Sequence, residues 1–153
     1  MQKTVLGIDP GFGLCGFAVI KDENLETFGV IKTSPRENFP DRLHEIAEDF
    51  QTLLDKHQPT IVSIEDLFFV QNITTGIQVA EVRGVLLFLA QKFGCQIIEP
   101  KPVEIKKCFT GSGNASKAEM KKMAKLMFKL ENSPKIDDAA DAIATAFYAI
   151  HSH

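Results

Sequence analysis

The stretch TVLGIDPGFGLCGFAVIKDENLETFGVIKT, Thr4 to Thr33, reads as three consecutive strands. Thr4 to Asp9, Cys15 to Lys21 and Leu25 to Thr33 are rich in β-branched and apolar residues, and Gly11-Phe12-Gly13 and Asp22-Glu23-Asn24 separate them as turns. Breaks this short join antiparallel neighbours, so the segment predicts a three-strand meander. Beyond Pro40, the segment Asp41 to His57 carries Leu43, Ile46, Ala47, Phe50, Leu53 and Leu54 at helical spacing, and Pro59 closes it. Ile61 to Glu65 follows as a short apolar strand, Thr74 to Phe93 as a long helix ended by Gly94, and Cys95 to Glu99 as a fifth strand. Pro100 to Pro102 reads as a break. After the loop Gly111 to Ser116, two further helices span about Ser116 to Leu130 and Asp138 to Ile150.

Helical crossovers make the first, fourth and fifth strands parallel to one another, while the meander is antiparallel. The expected architecture is therefore α/β, a five-stranded mixed sheet with helices on both faces, and this is the element order of the ribonuclease H-like fold. The 153 residues, 44% of them hydrophobic, suit a single domain over residues 1–153. No uninterrupted apolar run reaches the roughly 18 residues of a membrane span, and the N-terminus enters a strand pattern instead of a signal peptide. A cytoplasmic protein without a membrane partner is expected. Cys15, Cys95 and Cys108 lack the paired spacing of a zinc or redox motif and read as reduced core thiols.

Four acids stand out by position. Asp9 ends the first strand in Leu6-Gly7-Ile8-Asp9-Pro10-Gly11, and alternation puts Gly7 on the same face, leaving room beside the acid. Taken alone, an Asp-Pro-Gly sequence is equally well explained as a turn. Glu65 ends the fourth strand, at the carboxyl edge where parallel sheets bind ligands, although a charge at a strand end is also ordinary. The last helix is apolar almost all round, and its polar exceptions Asp138, Asp141, Thr145 and Tyr148 form one stripe. Dipole compensation, with Asp137 as N-cap, accounts for one or two of the three aspartates but poorly for Asp141. Buried like charges need a counterion, and an all-oxygen set suits Mg²⁺. Four carboxylates balance two Mg²⁺ ions, the arrangement that serves phosphodiester displacement.

The net charge of −3 argues against a phosphate ligand only on average. Lys101 to Lys129 holds eight lysines against Glu104 and Glu119, and without the four candidate ligands the balance of 17 basic against 20 acidic residues becomes 17 against 16. A solvated helix face explains such a run as well as a nucleic-acid surface does. His44, His57, His151 and His153 share no ligand spacing with the acids.

Together, Gly7-Ile8-Asp9-Pro10-Gly11, Ile64-Glu65 followed by Phe68, Arg83-Gly84, and Asp138-Ala139-Ala140-Asp141-Ala142 resemble the RuvC family of Holliday-junction resolvases, in the family's order and over essentially the whole chain. The resemblance implies a homodimer that binds four-way junction DNA and nicks two opposing strands symmetrically with Mg²⁺ or Mn²⁺, with a branch-migration motor as a further partner. It implies that Asp9, Glu65, Asp138 and Asp141 are catalytic, and that Phe68, with Phe69 beside it, inserts at the junction centre, where core packing is the competing role. Lys106 and Lys117 match basic positions near the scissile phosphate, and the apolar run Gly84 to Ala90 lies on the family's dimer helix. The pI of about 5.8 is lower than such a family suggests. The competing expectations are a nuclease of the same fold acting on RNA processing intermediates, an inactive nucleic-acid-binding module, and an actin-like or sugar-kinase-like ATP-binding domain, which needs a second domain that 153 residues do not supply.

Overall fold

A computed structural model of the chain describes residues 2–67 and 72–152. Strands β1 (Thr4–Asp9), β2 (Leu14–Lys21) and β3 (Asn24–Lys32) form the expected antiparallel meander, and β4 (Ile61–Ile64) and β5 (Gln96–Ile98) add in parallel beside β1. The sheet order is β3-β2-β1-β4-β5, so β1 is central and the strand direction changes at its side. That junction is where an open sheet leaves a crevice beyond the strand ends.

Alternation along the strands sends apolar side chains to both faces. Leu6, Ile8, Val62 and Ile64 face α1 (Phe39–His57) and α2 (Ile73–Phe93), whose Ile46, Phe50, Leu54, Val82, Leu86 and Ala90 are fully buried against them. Val5, Ala18, Ile20 and Ile61 face the opposite way, toward α5 (Asp137–His151), with α3 (Pro102–Thr110) and α4 (Lys117–Met127) packed outside it. Both faces are thereby closed.

The helix starts explain their own positions. Asn38 accepts the Asp41 N–H at 2.9 Å to open α1, Asn72 accepts the Thr75 N–H at 3.1 Å to open α2, and Ser116 with Glu119 forms a capping box on α4. Helix α3 starts at the end of the expected Pro100 to Pro102 break and runs through residues to which the sequence reading gave no element. Pro102 sits in its first turn, where no N–H is needed, and Glu104 reaches back to the Lys101 N–H at 2.9 Å. Helix α2 has the length and mean hydropathy, 1.4, of a membrane span, yet it buries Val82, Leu86 and Ala90 in the core. Cys15 and Cys95 are buried and Cys108 half-buried, all three as free thiols.

Candidate active site

Asp9 and Glu65 reach the crevice from neighbouring strand ends. The β1–β4 ladder runs to the pair Ile8 and Ile64, and the Glu65 N–H then donates to the Ile8 carbonyl at 3.2 Å, fixing the two acids side by side. The aspartates of α5 arrive by an unusually close approach of helix to sheet. A Cβ on Gly7 would lie 2.5 Å from the Ala142 carbonyl oxygen and 2.6 Å from the Ala146 nitrogen, and a Cβ on Gly16 would strike the Asp138 carbonyl. Gly7 does share a face with Asp9, but the space at Gly7 is filled by α5 and is not a vacancy for metal or phosphate. Gly16 is the ladder partner of Asp9, so the first turn of α5 rests directly above the acid.

This backbone packing gathers the carboxylates at one edge of the sheet. The Asp9 carboxyl is held well above the usual range, first by burial, then by the charge of Glu65 and by the nearby Asp138 and Asp141. Burial also raises Glu65, opposed by the hydrogen bond from Asp9 and by the charges of Lys106 and Arg83. Asp141 is pushed up to about 6, again chiefly by burial, then by Glu65 and Asp138. Such a group resists ionisation until a cation joins it.

Thr145 donates back to the Asp141 carbonyl at 2.8 Å, while Tyr148 at the far end of the stripe donates to Glu104 at 3.4 Å. Asp137 is not the N-cap of α5; Ile136 is, and the Asp137 carboxylate instead pairs with Lys121 at 2.8 Å and Lys117 at 3.6 Å.

Beside the acids lies a cleft of about 130 Å³ whose wall includes Glu65, Asp141, Lys106 and Lys117 over Ile105 and Met120. Lys106 and Lys117 therefore share one cavity with two of the carboxylates. Phe68 and Phe69 lie outside the described residues. Among the described residues no three acidic, imidazole or thiol groups are grouped closely enough to hold a metal ion as they stand. The donors nevertheless suit a hard divalent cation, being oxygen-only, desolvated and mutually repelling, with Lys106 and Arg83 as the cationic side chains acting on Glu65.

Three features of the site were not singled out from sequence. Cys15 is buried close to Asp9 and Asp138, and burial pushes its thiol up to about 12, which keeps it protonated and adds no charge to the cluster. The turn after Asp9 is pinned from α1: Arg42 donates to Thr33 Oγ1 at 2.9 Å, Thr33 donates to the Phe12 carbonyl, and the Arg42 guanidinium lies 5.0 Å from the Phe12 ring centre. Arg83, noted in the sequence only as part of a motif, donates from Nε to the Glu65 carbonyl at 3.0 Å.

Known proteins resemble the chain over most of its length. Residues 5–149 match the family model described as crossover junction endodeoxyribonuclease RuvC. The RuvC of Petrotoga mobilis is 43% identical over 94% of this chain and 91% of its own, and that of Pseudothermotoga lettingae 40% over 94% and 91%. The structure of T. thermophilus RuvC in complex with Holliday junction substrate superposes with a TM-score of 0.89 at 28% identity, covering 98% of this chain and 94% of that one. A yeast mitochondrial Holliday junction resolvase, 18% identical with a TM-score of 0.70 over 95% and 76% of the chains, shares the fold.

Proposed function

The chain belongs to the RuvC family of crossover junction endodeoxyribonucleases, and from that premise we propose that Asp9, Glu65, Asp138 and Asp141 carry its metal-dependent cleavage of four-way DNA junctions. The observation that supports this assignment is the convergence of strand-end and helix carboxylates: the Glu65 N–H bonds to the Ile8 carbonyl beside Asp9, α5 rests on Gly16 opposite Asp9, and the charge of Glu65 raises both Asp9 and Asp141. The four side chains would hold two Mg²⁺ ions, with Mn²⁺ able to substitute, since their four negative charges match two divalent cations. When bound, such a pair supplies the charge that activates water and stabilises the leaving oxygen of a phosphodiester.

The chain's own residues do the rest. Lys106 and Lys117, on the wall shared with Glu65 and Asp141, meet the phosphate charge that the carboxylates alone would repel. Ile105 and Met120 in the same cleft offer apolar contact to the sugar face and limit water. Phe68 and Phe69 follow Glu65 by three and four positions, and a base stacked on one of these rings would gain roughly 1–3 kcal/mol. Symmetric nicking of opposing strands calls for two copies of the chain. Ile73, Ile77 and Phe88, exposed on α2 by 75%, 56% and 63%, give a homodimer an apolar surface to bury.

The deciding experiment incubates the purified protein with Mg²⁺ and a synthetic four-way junction, next to linear duplex of the same sequence. Paired nicks in the junction are expected, with Asp141→Asn abolishing them while junction binding survives. Equal cutting of the linear duplex overturns the substrate assignment, and an active Asp141→Asn overturns the site.

A further inference from the structure

We propose that Arg83 is a positioning residue for cleavage, holding the end of β4, and Glu65 with it, from the middle of α2. The inference rests on Glu65 being one of the cleaving carboxylates. Regular pairing of β4 stops at Ile64 on the β1 side and at Ser63 on the β5 side. Glu65 therefore lies beyond the ladder that would otherwise fix it.

Its backbone is held by separate contacts instead. The Glu65 N–H donates to Ile8 at 3.2 Å, its carbonyl accepts from Arg83 Nε at 3.0 Å, and the next N–H, that of Asp66, donates to the Pro100 carbonyl at 2.8 Å. The other arm of the same guanidinium pairs with the Glu99 carboxylate beyond β5 and lies 3.7 Å from Asp66. One planar fork thus joins α2 to the ends of both β4 and β5. The Arg83 side chain is only 11% exposed, so this charge is largely withdrawn from water and committed to its partners.

The geometry requires arginine. A guanidinium presents donors in fixed directions and can serve a carbonyl and a carboxylate at once, whereas an ammonium offers one point charge on a flexible stem. The carbonyl held is that of Glu65 itself, so rotation of that peptide would swing the Glu65 carboxylate relative to Asp9. A misplacement of about 1 Å at such a site costs roughly a hundredfold in rate. The ion pairs with Asp66 and Glu99 alone could be read as fold maintenance. The bond to the Glu65 carbonyl makes the same side chain part of the site's alignment.

The test compares Arg83→Gln, Arg83→Lys and Glu99→Gln with the parent and with Glu65→Gln, all as full chains. Thermal melting reports folding, gel shift without divalent metal reports junction binding, single-turnover cleavage reports chemistry, and calorimetric titration with Mn²⁺ reports the metal site directly. Folded Arg83→Gln is expected to bind junction within about twofold of the parent, to cleave at least tenfold more slowly, and to bind Mn²⁺ several-fold more weakly. Arg83→Lys should recover only part of the loss, and Glu99→Gln should show a smaller loss of the same kind. Parental cleavage and Mn²⁺ affinity in folded Arg83→Gln overturn the proposal, as does a loss of junction binding that accounts for the whole rate change. If Arg83→Gln does not fold, Glu99→Gln decides by the same two readouts. Cleavage by Glu65→Gln would instead sink the carboxylate assignment on which the proposal stands.

Discussion

At the scale of single residues, position is set by contacts where a side chain is missing. Gly16 pairs with Asp9 in the β1–β2 ladder and lies beneath the Asp138 carbonyl, so the distance between these two carboxylates is a backbone matter. Gly16→Ala should force α5 off the sheet. We expect a loss of about 1–3 kcal/mol in urea unfolding and at least a tenfold drop in junction cleavage. Parental cleavage would mean that the cluster tolerates a displaced helix. The sequence singled out all four of the acids proposed for the site, and Asp141 on the strongest ground, because an acid deep in an alanine-rich helix has few other uses. Gly7 illustrates what one chain cannot reveal. Alternation gave its face correctly, but whether the space above a glycine is vacant or filled depends on an element more than a hundred residues later.

At the scale of elements, strands and the other helices followed their periodicity, with boundaries shifted by at most three residues, whereas α3 escaped notice. Its prolines at 100 and 102 signalled interruption, and only Glu104 three positions after Lys101 hinted at a helix start. The omission mattered because α3 carries Lys106 to the cleft. The network of Arg83 was equally hidden, since its partners are 16 to 18 positions away, just past the ends of β4 and β5. Helix α2 has two faces of different use, one buried through Val82, Leu86 and Ala90 and one exposing Ile73, Ile77 and Phe88. Phe88→Asp should leave the melting temperature of the protomer nearly unchanged while shifting sedimentation toward the monomer and reducing paired nicking. A dimer that survives the substitution would place the subunit contact elsewhere.

At the scale of the whole molecule, the proposed metal cluster should tie stability to divalent cation and to pH. Asp9, Glu65 and Asp141 all have folded-state values raised above their ordinary ones, so each contributes stability below its ordinary value and loses it as pH rises through the raised one. For Asp141 that window runs from 3.8 to about 6, and its magnitude is on the order of 1–3 kcal/mol. As pH rises past about 6 without divalent metal, ionised Asp141 adds its repulsion to the cluster, and Mg²⁺ at a hundredfold excess over its dissociation constant should add about 2.7 kcal/mol. Melting scans with and without Mg²⁺ should therefore differ most near neutrality, and the gap should narrow as pH falls through about 6, where protons compete for the same oxygens. A gap independent of pH would separate metal binding from these carboxylates.

The docking of α5 onto Gly7 and Gly16 also carries a consequence in time. Asp9 and Glu65 lie at the ends of strands made early in the chain, while Asp138 and Asp141 come on a helix that follows every strand in the sequence. Domains emerge from synthesis N-terminal part first. With the four acids in the roles proposed above, a partly synthesised or C-terminally clipped chain holds half of the cluster and should not cut, so the site is complete only once α5 has been made.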